Sequence, residues 1–288
     1  MSFVKRRIDV TISLAEGEFG STAGPSETLS GYRVQVAVVA YNGDAQAQLQ
    51  LRIFGLPQDM INKLTVIGPI LTERRNNRIL VAAGDAGAGA LTVVYEGTIA
   101  QAWADYNQAP EVVFNVVALA AAFEAVRPTN ARSYRGAVQA SAVAQDLAKA
   151  MNLAFQNNGV DVALSNPYFP GTALEQLKAC ARSARFNYAI DRGILAIWPL
   201  SGTRAAEPIL IEAGRNLLGY PTFTGGGVEF SVLYTPQLGL GNLVQVISVV
   251  EAAHGEWIVV SIVHQLEAEV PGGCLLYTSP SPRDRQKS

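Results

Sequence analysis

Few residues of this chain combine the side-chain chemistry and the spacing that catalysis or metal binding requires. The chain has two histidines, His254 and His264, and two cysteines, Cys180 and Cys274. Neither histidine has an Asp or Cys nearby in a metal-ligand pattern. His264 shares one face of a predicted strand with apolar residues, which favours a core or interface side chain over a general base. Cys180 lies among alanines of a predicted helix, which is typical of a buried packing cysteine.

One glycine-rich loop and one pair of carboxylates also have to be considered. Residues 84–89 read Gly-Asp-Ala-Gly-Ala-Gly. This loop lacks the Lys-Ser/Thr ending of a phosphate-binding loop, and no periodic helix follows it, so a turn between strands is expected. Glu96 and Asp105 flank one predicted strand, and paired carboxylates can cleave glycosidic bonds. Nothing in the sequence pattern distinguishes these two carboxylates from ordinary surface charges. We therefore expect no catalytic residue, no metal ligand and no cofactor.

The one basic cluster consists of Arg74, Arg75 and Arg78. Two adjacent asparagines lie within it, which is typical of a solvated hairpin turn. The alternative is a contact with an acidic partner subunit, or with DNA passing nearby.

An aromatic stretch near the C-terminal end is the second candidate contact surface. Its four aromatic residues are Tyr220, Phe223, Phe230 and Tyr234. Because they recur at strand spacing, most of them are expected in the core. Tyr220 and Phe223 are the two we select as partner contacts, because aromatic residues are enriched at interface hot spots.

Composition limits the possible classes of function. The 288 residues are 49% hydrophobic and only 16% charged, against roughly 25% charged residues in typical soluble domains. Low charge favours a chain that covers part of its surface with partners. The net charge of -2 gives no electrostatic basis for specific nucleic-acid binding. No apolar run predicts a membrane span, and we expect no secretory signal. Two cysteines without a disulfide framework suit a reducing cytoplasm.

The first region, residues 1–128, is predicted to be an antiparallel β-barrel or sandwich. Apolar and polar residues alternate along several segments, and Asn42-Gly43 is a strong hairpin signal. Residues 17–30 are expected to be a polar loop. Strands are expected at residues 4–14, 32–41, 46–53, 78–83, 91–101 and 112–118, with a short helix at 57–64.

Residues 129–200 are predicted to form a small α+β insert in the order αβαββ. Strong helix formers with an apolar residue at every fourth position predict its first helix. Thr172 and Glu175 fit a capping box at the start of the second. The expected elements are helix 137–151, strand 160–164, helix 172–184 and strands 186–190 and 194–198.

Residues 201–273 are predicted to form a second β-barrel domain. Strands are expected at residues 208–212, 228–234, 243–250 and 257–266. Residues 274–288 resemble a translated sequencing adapter, so we expect a non-native, disordered tail there. On this interpretation the natural protein continues beyond Gly273, and the second barrel is truncated.

Three stretches of the chain resemble baseplate hub proteins of tailed phages. They are NGVDVALSNPYFPGTALE at 158–175, DRGILAIWP at 191–199, and GYPTFTGGGVE at 219–229 with LYTP at 233–236. The resemblance extends over residues 2–273 and rests on segment order and these stretches, none of which is a catalytic signature.

The resemblance implies a fold and an assembly. The fold is α+β and mainly β, with two antiparallel β-barrel-like domains of the tail-tube type split by the αβαββ insert. Three copies are expected to form a pseudo-sixfold ring that adapts a hexameric tail tube to a trimeric central spike. The implied partners are further copies of the chain, tube or tube-end proteins, the spike and the tape measure protein. The implied location is the virion baseplate, after assembly in the bacterial host's cytoplasm.

Two other functions stay open at this point. One is the related spike of a bacterial secretion or contractile injection system. The other is a tail-associated peptidoglycan hydrolase.

Overall fold

A computed structural model describes residues 6–19, 24–65, 77–87, 89–107, 109–224, 226–270 and 277–283, the last range by its backbone only. The described chain is mainly β, as the sequence predicts. It divides into two compact units. The first unit comprises Met1–Val39, Gln48–Ala120 and His264–Tyr277, and the second comprises Ala40–Ala47, Ala121–Val263 and Thr278–Ser288. The predicted insert lies in the same unit as residues 201–263, and the division into three domains stays a prediction.

The elements of the first half are β1 (Arg6–Ser13), β2 (Ser26–Ser30), β3 (Arg33–Tyr41), β4 (Gln48–Phe54), α1 (Gln58–Leu64), β5 (Arg78–Asp85), β6 (Thr92–Asp105), β7 (Val113–Leu119) and α2 (Ala122–Val126). The elements of the second half are β8 (Arg132–Ser133), β9 (Ala137–Gln139), α3 (Ala140–Ala150), β10 (Ala154–Asn157), β11 (Ala163–Ser165), β12 (Tyr168–Phe169), α4 (Ala173–Ala184), β13 (Phe186–Asp191), β14 (Ile194–Pro199), β15 (Ala205–Glu212), β16 (Leu217–Thr224), β17 (Gly227–Leu233), β18 (Asn242–Ile247), a 3₁₀ helix (Glu251–Ala253), β19 (Gly255–Ala268) and β20 (Tyr277–Arg283).

In the first unit, antiparallel pairs build a ladder in the order β2-β1-β5-β6-β7-β4-β3, and β19 follows β3. Alternate residues point inward, so Val36, Leu51 and Val116 are buried on neighbouring strands. Strand β6 is 14 residues long because its first half pairs with β5 and its second half with β7. A β-bulge in each pairing accommodates the change of partner.

Strand β2 lies where the sequence predicted only a polar loop. Its pairing with β1 includes hydroxyl contacts on the exposed face, Thr11 to Thr28 at 2.9 Å and Ser13 to Ser26 at 2.8 Å. Leu29 is the one residue of β2 that is buried. Because one buried side chain produces no alternating pattern, the strand could not be recognised from hydrophobic periodicity.

The second unit contains the predicted α+β insert. The capping box is confirmed: the Glu175 N–H donates to the Thr172 hydroxyl, and the Thr172 N–H donates to the Glu175 carboxylate. Helices α3 and α4 pack on a three-stranded sheet in which β10 runs parallel to β14 and β14 antiparallel to β13. None of the described helices is long and apolar enough to cross a membrane.

Two details of the insert correct the sequence prediction. Helix α3 begins at Ala140 rather than at residue 137, because residues 137–139 pair with β11 as strand β9. The strand predicted at residues 160–164 is confirmed only at its end, where β11 pairs with β9, and the three-stranded sheet uses β10 instead. The reason is a turn in which the Asn157 side chain accepts from the Val160 N–H at 2.8 Å and donates to its carbonyl at 3.1 Å.

The remaining strands of the second unit include one parallel pair, β15 with β18, which departs from the antiparallel expectation. Strand β18 also pairs antiparallel with β19, and β16 pairs antiparallel with β17. Strand β16 was not predicted, because Gly219 and Pro221 interrupt the pattern of a strand.

The segment with the adapter-like sequence is not wholly without structure. Strand β20 lies between β17 and β19 in the strand order, so the expected disorder is wrong for its seven residues. An extended segment can satisfy the backbone N–H and C=O groups of two neighbouring strands largely independently of its side chains. The strand therefore does not bear on whether this segment is native.

The turn between β3 and β4 belongs to the second unit and is held there by hydrogen bonds. The Asn42 N–H donates to Val260 O, and the Gly43 N–H donates to Tyr188 O, both at 2.9 Å. The Asp44 carboxylate accepts from the Tyr188 hydroxyl at 2.8 Å and from Arg182 at 3.1 Å. The predicted hairpin is confirmed, and its connection runs over residues 42–47.

Asp44 makes the stability of the second unit dependent on pH. Partial burial raises the pKa of its carboxyl, but the bonds from Tyr188 and Arg182 outweigh that effect and hold the pKa below its usual value. A lowered pKa stabilises the fold above the unfolded value of about 3.9, and this contribution is lost as pH falls through the folded value. We expect Asp44→Asn to lower the free energy of unfolding by about 1 kcal/mol at pH 7, because the carboxylate is half exposed.

The check is a pair of urea titrations at pH 7 and below pH 3. The free energies of unfolding of the unaltered chain and of Asp44→Asn should differ at pH 7 and converge below pH 3. In a Tyr188→Phe background the difference at pH 7 should shrink, and an equal difference at both pH values contradicts the assignment.

Candidate interaction surfaces

Among the described residues, those with potential for catalysis are not assembled into a site. Cys180 is fully buried in α4, and burial raises the pKa of its thiol to about 12, so the thiol stays protonated. His264 is buried, and His254 is exposed beside the 3₁₀ helix. Cys274 lies outside the described residues. No group of three His, Cys, Asp or Glu side chains within the described ranges could hold a metal ion.

The glycine-rich loop and the two carboxylates have ordinary structural roles. Gly84 and Asp85 are the last residues of β5, and the next strand along the chain, β6, is its antiparallel partner, as predicted; Asp85 pairs with Arg6. Glu96 pairs with Arg78 at 2.6 Å, and the Asp105 carboxylate accepts from the Asn107 N–H at 2.9 Å. Glu96 and Asp105 lie nine positions apart on β6, roughly 30 Å along a strand. They cannot act together on one glycosidic bond.

Of the basic cluster, only Arg78 lies within the described residues; Arg74 and Arg75 lie outside them. Arg78 donates to Glu96 across the β5–β6 pair. Its charge is therefore compensated in its own sheet, and a role for the three arginines in partner binding stays a prediction.

The aromatic stretch divides as the sequence suggested. Phe230 is 2% exposed, and burial raises the pKa of Tyr234 to about 12. Tyr220 and Phe223 on β16 are 72% and 52% exposed. These two side chains belong to the second unit and Arg78 to the first, so the candidate contacts form two separate groups.

A β-bulge shapes the exposed part of β16. Leu218 pairs with Ser231 and Thr222 with Glu229, so residues 219–221 lie opposite Phe230 alone. Bulges are common at sheet edges, and Tyr220 lies within this one. The strand carries no charge from Leu217 to Thr224, and β17 is its one partner on the path of described strands.

A groove on the outer face of the first unit was not predicted. Its volume is about 600 Å³, and strands β19, β3, β4, β7 and β6 form its floor. Outward-pointing residues supply most of its surface; they are Gln35, Ala37, Gln50, Arg52, Trp103, Asn115, Val117, Gln265 and Glu267.

One row of polar side chains crosses this groove. The Gln35 amide donates to Glu267 at 2.9 Å and accepts from Arg52 at 3.1 Å. Arg52 lies opposite Asn115, which lies opposite Trp103. Gln35 thereby bridges the one carboxylate and the one guanidinium of the groove, which leaves its lining without net charge.

The second unit contains a buried group of charges that was also missed. The Asp191 carboxylate accepts from Arg192 at 2.9 Å and from Arg204 at 3.3 Å. The side chains of Asp191, Arg192 and Arg204 are only 14%, 19% and 8% exposed. Arg204 also donates to Gln156, and Arg192 to the Pro236 carbonyl. Burial lowers the pKa of Arg204, and Asp191 counteracts that effect.

Neither the groove nor the Asp191 cluster could be predicted from the sequence. Asp191 follows directly on the strand predicted at residues 186–190, but nothing in the sequence marked Arg204, thirteen positions away, as its partner. The groove arises from register between strands far apart in the chain. The run of alternating glutamines in β4 was its one visible signal, and it indicates only an exposed face.

Comparison with known proteins identifies the fold. The tail protein from Neisseria meningitidis MC58 has a TM-score of 0.64 and 10% identity, covering 96% of this chain and 96% of that one. The 43 kDa tail protein of prophage MuSo2 from Shewanella oneidensis has a TM-score of 0.60 and 13% identity, covering 95% and 98%. An E. coli component of the type VI secretion system gives 0.56 and 8%, covering 88% and 74%. At these identities the similarity shows the fold alone.

Sequence comparison gives the family. No curated protein sequence matches the chain. The family model described as baseplate hub gp41 matches residues 7–270, which confirms the resemblance found in the three stretches. The chain therefore belongs to the baseplate hub gp41 family, the structural hub proteins of phage tails.

Proposed function

We propose that three copies of this chain form a ring that joins the tail tube to the central spike. The family match over residues 7–270 carries this proposal. Each copy has two compact β-rich units, so three copies would supply six. Six units around a threefold axis suit a hexameric tube on one side and a trimeric spike on the other.

A hub protein is a component of the virion tail. We place the ring between the tube-end proteins and the spike, with the tape measure protein as a further partner. Assembly takes place in the host cytoplasm. The low charge of the chain supports extensive burial against partners.

The proposal assigns the exposed edge of β16 to contacts between copies. Pro221 and the bulge interrupt backbone pairing along this edge, which discourages nonspecific strand addition. The side chains of Tyr220 and Phe223 then offer two apolar anchors on an uncharged strand. Buried aromatic anchors account for much of the binding energy in interfaces.

Replacing these anchors should weaken the trimer without unfolding the chain. For Tyr220→Ser and Phe223→Ser, we expect a loss of about 2 kcal/mol each, or roughly a 30-fold higher dissociation constant. The measurement is mass photometry over a concentration series. Tyr168→Ser is the matched control, because Tyr168 is 63% exposed in the same unit. If the unaltered chain and all three variants form trimers of equal stability, β16 is not part of the interface.

Cross-linking mass spectrometry on intact virions tests the position in the tail. The proposal requires cross-links from this chain to both a tube-end protein and the spike. Cross-links to capsid proteins, with none to tube or spike, would overturn it.

A further inference from the structure

We propose that the groove of the first unit binds a neutral oligosaccharide. This inference is separate from the hub ring, because it rests on the chemistry of one sheet face within one unit. The groove's volume of about 600 Å³ lies within the usual range of small-molecule sites, about 300–1,000 Å³.

The backbone of the groove floor is unavailable to a ligand. Strands β3, β4 and β7 each have a neighbour on both sides in the sheet. Their N–H and C=O groups are used in the ladder, so an added peptide strand cannot pair with them. A ligand in this groove must be recognised by side chains.

Those side chains favour an uncharged, hydroxyl-rich ligand. Primary amides both donate and accept hydrogen bonds, as sugar hydroxyls require. The side chains of Gln50 and Gln265 form no hydrogen bond to other described residues. Glu267 and Arg52 neutralise each other through Gln35, so the lining attracts neither a polyanion nor a polycation.

Trp103 adds the apolar surface that a sugar ring needs. Its side chain is 38% exposed and lines the groove at β6. The C–H face of a pyranose ring can lie against an indole, while its rim of hydroxyls reaches the amides. From β19 to β6 the groove crosses four strand spacings, roughly 19 Å, which accommodates several sugar rings in a row. A lipid would leave the amides unpaired.

The test is isothermal titration calorimetry of the full chain with the N-acetylglucosamine tetramer and, separately, with maltotetraose. We expect saturable binding of at least one of them. Trp103→Ala and Gln50→Ala should each weaken that binding at least tenfold. Circular dichroism should show that both variants stay folded, because both residues lie on the exposed face.

Tyr168→Ala is the control, an exposed aromatic residue of the other unit, and should bind as the unaltered chain does. Failure of both saccharides to bind saturably overturns the proposal, as does binding that Trp103→Ala leaves unchanged. If neither saccharide binds and oligomerisation protects Trp103 from acrylamide quenching, the groove is a protein contact and the proposal is overturned. None of these outcomes depends on the ring being correct.

Discussion

Replacing Gly241 with alanine is expected to lower the free energy of unfolding of the second unit by about 3 kcal/mol. Gly241 has a φ of +77°, a conformation that costs an L-residue with a side chain roughly 1–2 kcal/mol. A Cβ at this position would lie 2.7–2.9 Å from ring atoms of Trp198. The remaining cost comes from that overlap, because Trp198 is 1% exposed and its surroundings are closely packed.

The backbone at Gly241 cannot move away to relieve the overlap. Its N–H donates to Val259 O at 2.8 Å, and its carbonyl accepts from the Arg204 N–H at 2.7 Å. Any shift of Gly241 therefore lengthens a hydrogen bond in the same unit.

Gly214→Ala separates the two causes. Gly214 has a φ of +81°, but a Cβ there has no neighbour within 4 Å. Gly214→Ala should therefore lower the free energy of unfolding by only about 1–2 kcal/mol, the cost of backbone strain. Urea denaturation followed by tryptophan fluorescence measures both variants. Equal losses in the two show that the Trp198 ring moves aside freely, contrary to our description of this contact.

Replacing Asp191 with alanine should have an effect of similar size for a different reason. The change leaves the guanidinium groups of Arg192 and Arg204 buried without their carboxylate. Removing one partner from a buried ion pair typically costs about 3–5 kcal/mol. We expect a loss in that range, measured by the same urea titration.

Asp146→Ala provides the matched comparison in the same unit. Asp146 pairs with Lys149 at 3.8 Å, and both side chains are more than half exposed, so about 0–1 kcal/mol is at stake. Replacing Arg204 with Met in the Asp191→Ala background should recover part of the loss, since it removes one uncompensated charge. A loss of 1 kcal/mol or less for Asp191→Ala contradicts the description of this cluster as buried and coupled.

The sequence predicted those elements that are specified locally. The capping box at Thr172, the hairpin at Asn42-Gly43 and the alternating strands of the first unit each depend on residues close together in the chain. Strand β2 was missed because Leu29 is its one buried residue, so its sequence shows no alternation. Strand β10 was misplaced because the Asn157 side chain builds a turn, just where the pattern indicated a strand.

The candidate surfaces were predictable only in part. Tyr220 and Phe223 were selected as partner contacts and are exposed, and their role as contacts stays a prediction. Their position beside a bulge depends on the register between β16 and β17. The groove depends on a contact between residues 232 positions apart, and the Asp191 cluster on one between residues 13 positions apart, which no local pattern contains.

The central claim is that this chain is a hub subunit that assembles with copies of itself. Native mass spectrometry of the full chain at micromolar concentration tests that claim most directly. The ring predicts a species of three times 30.6 kDa, about 92 kDa. A single species of 30.6 kDa throughout that concentration range contradicts the ring.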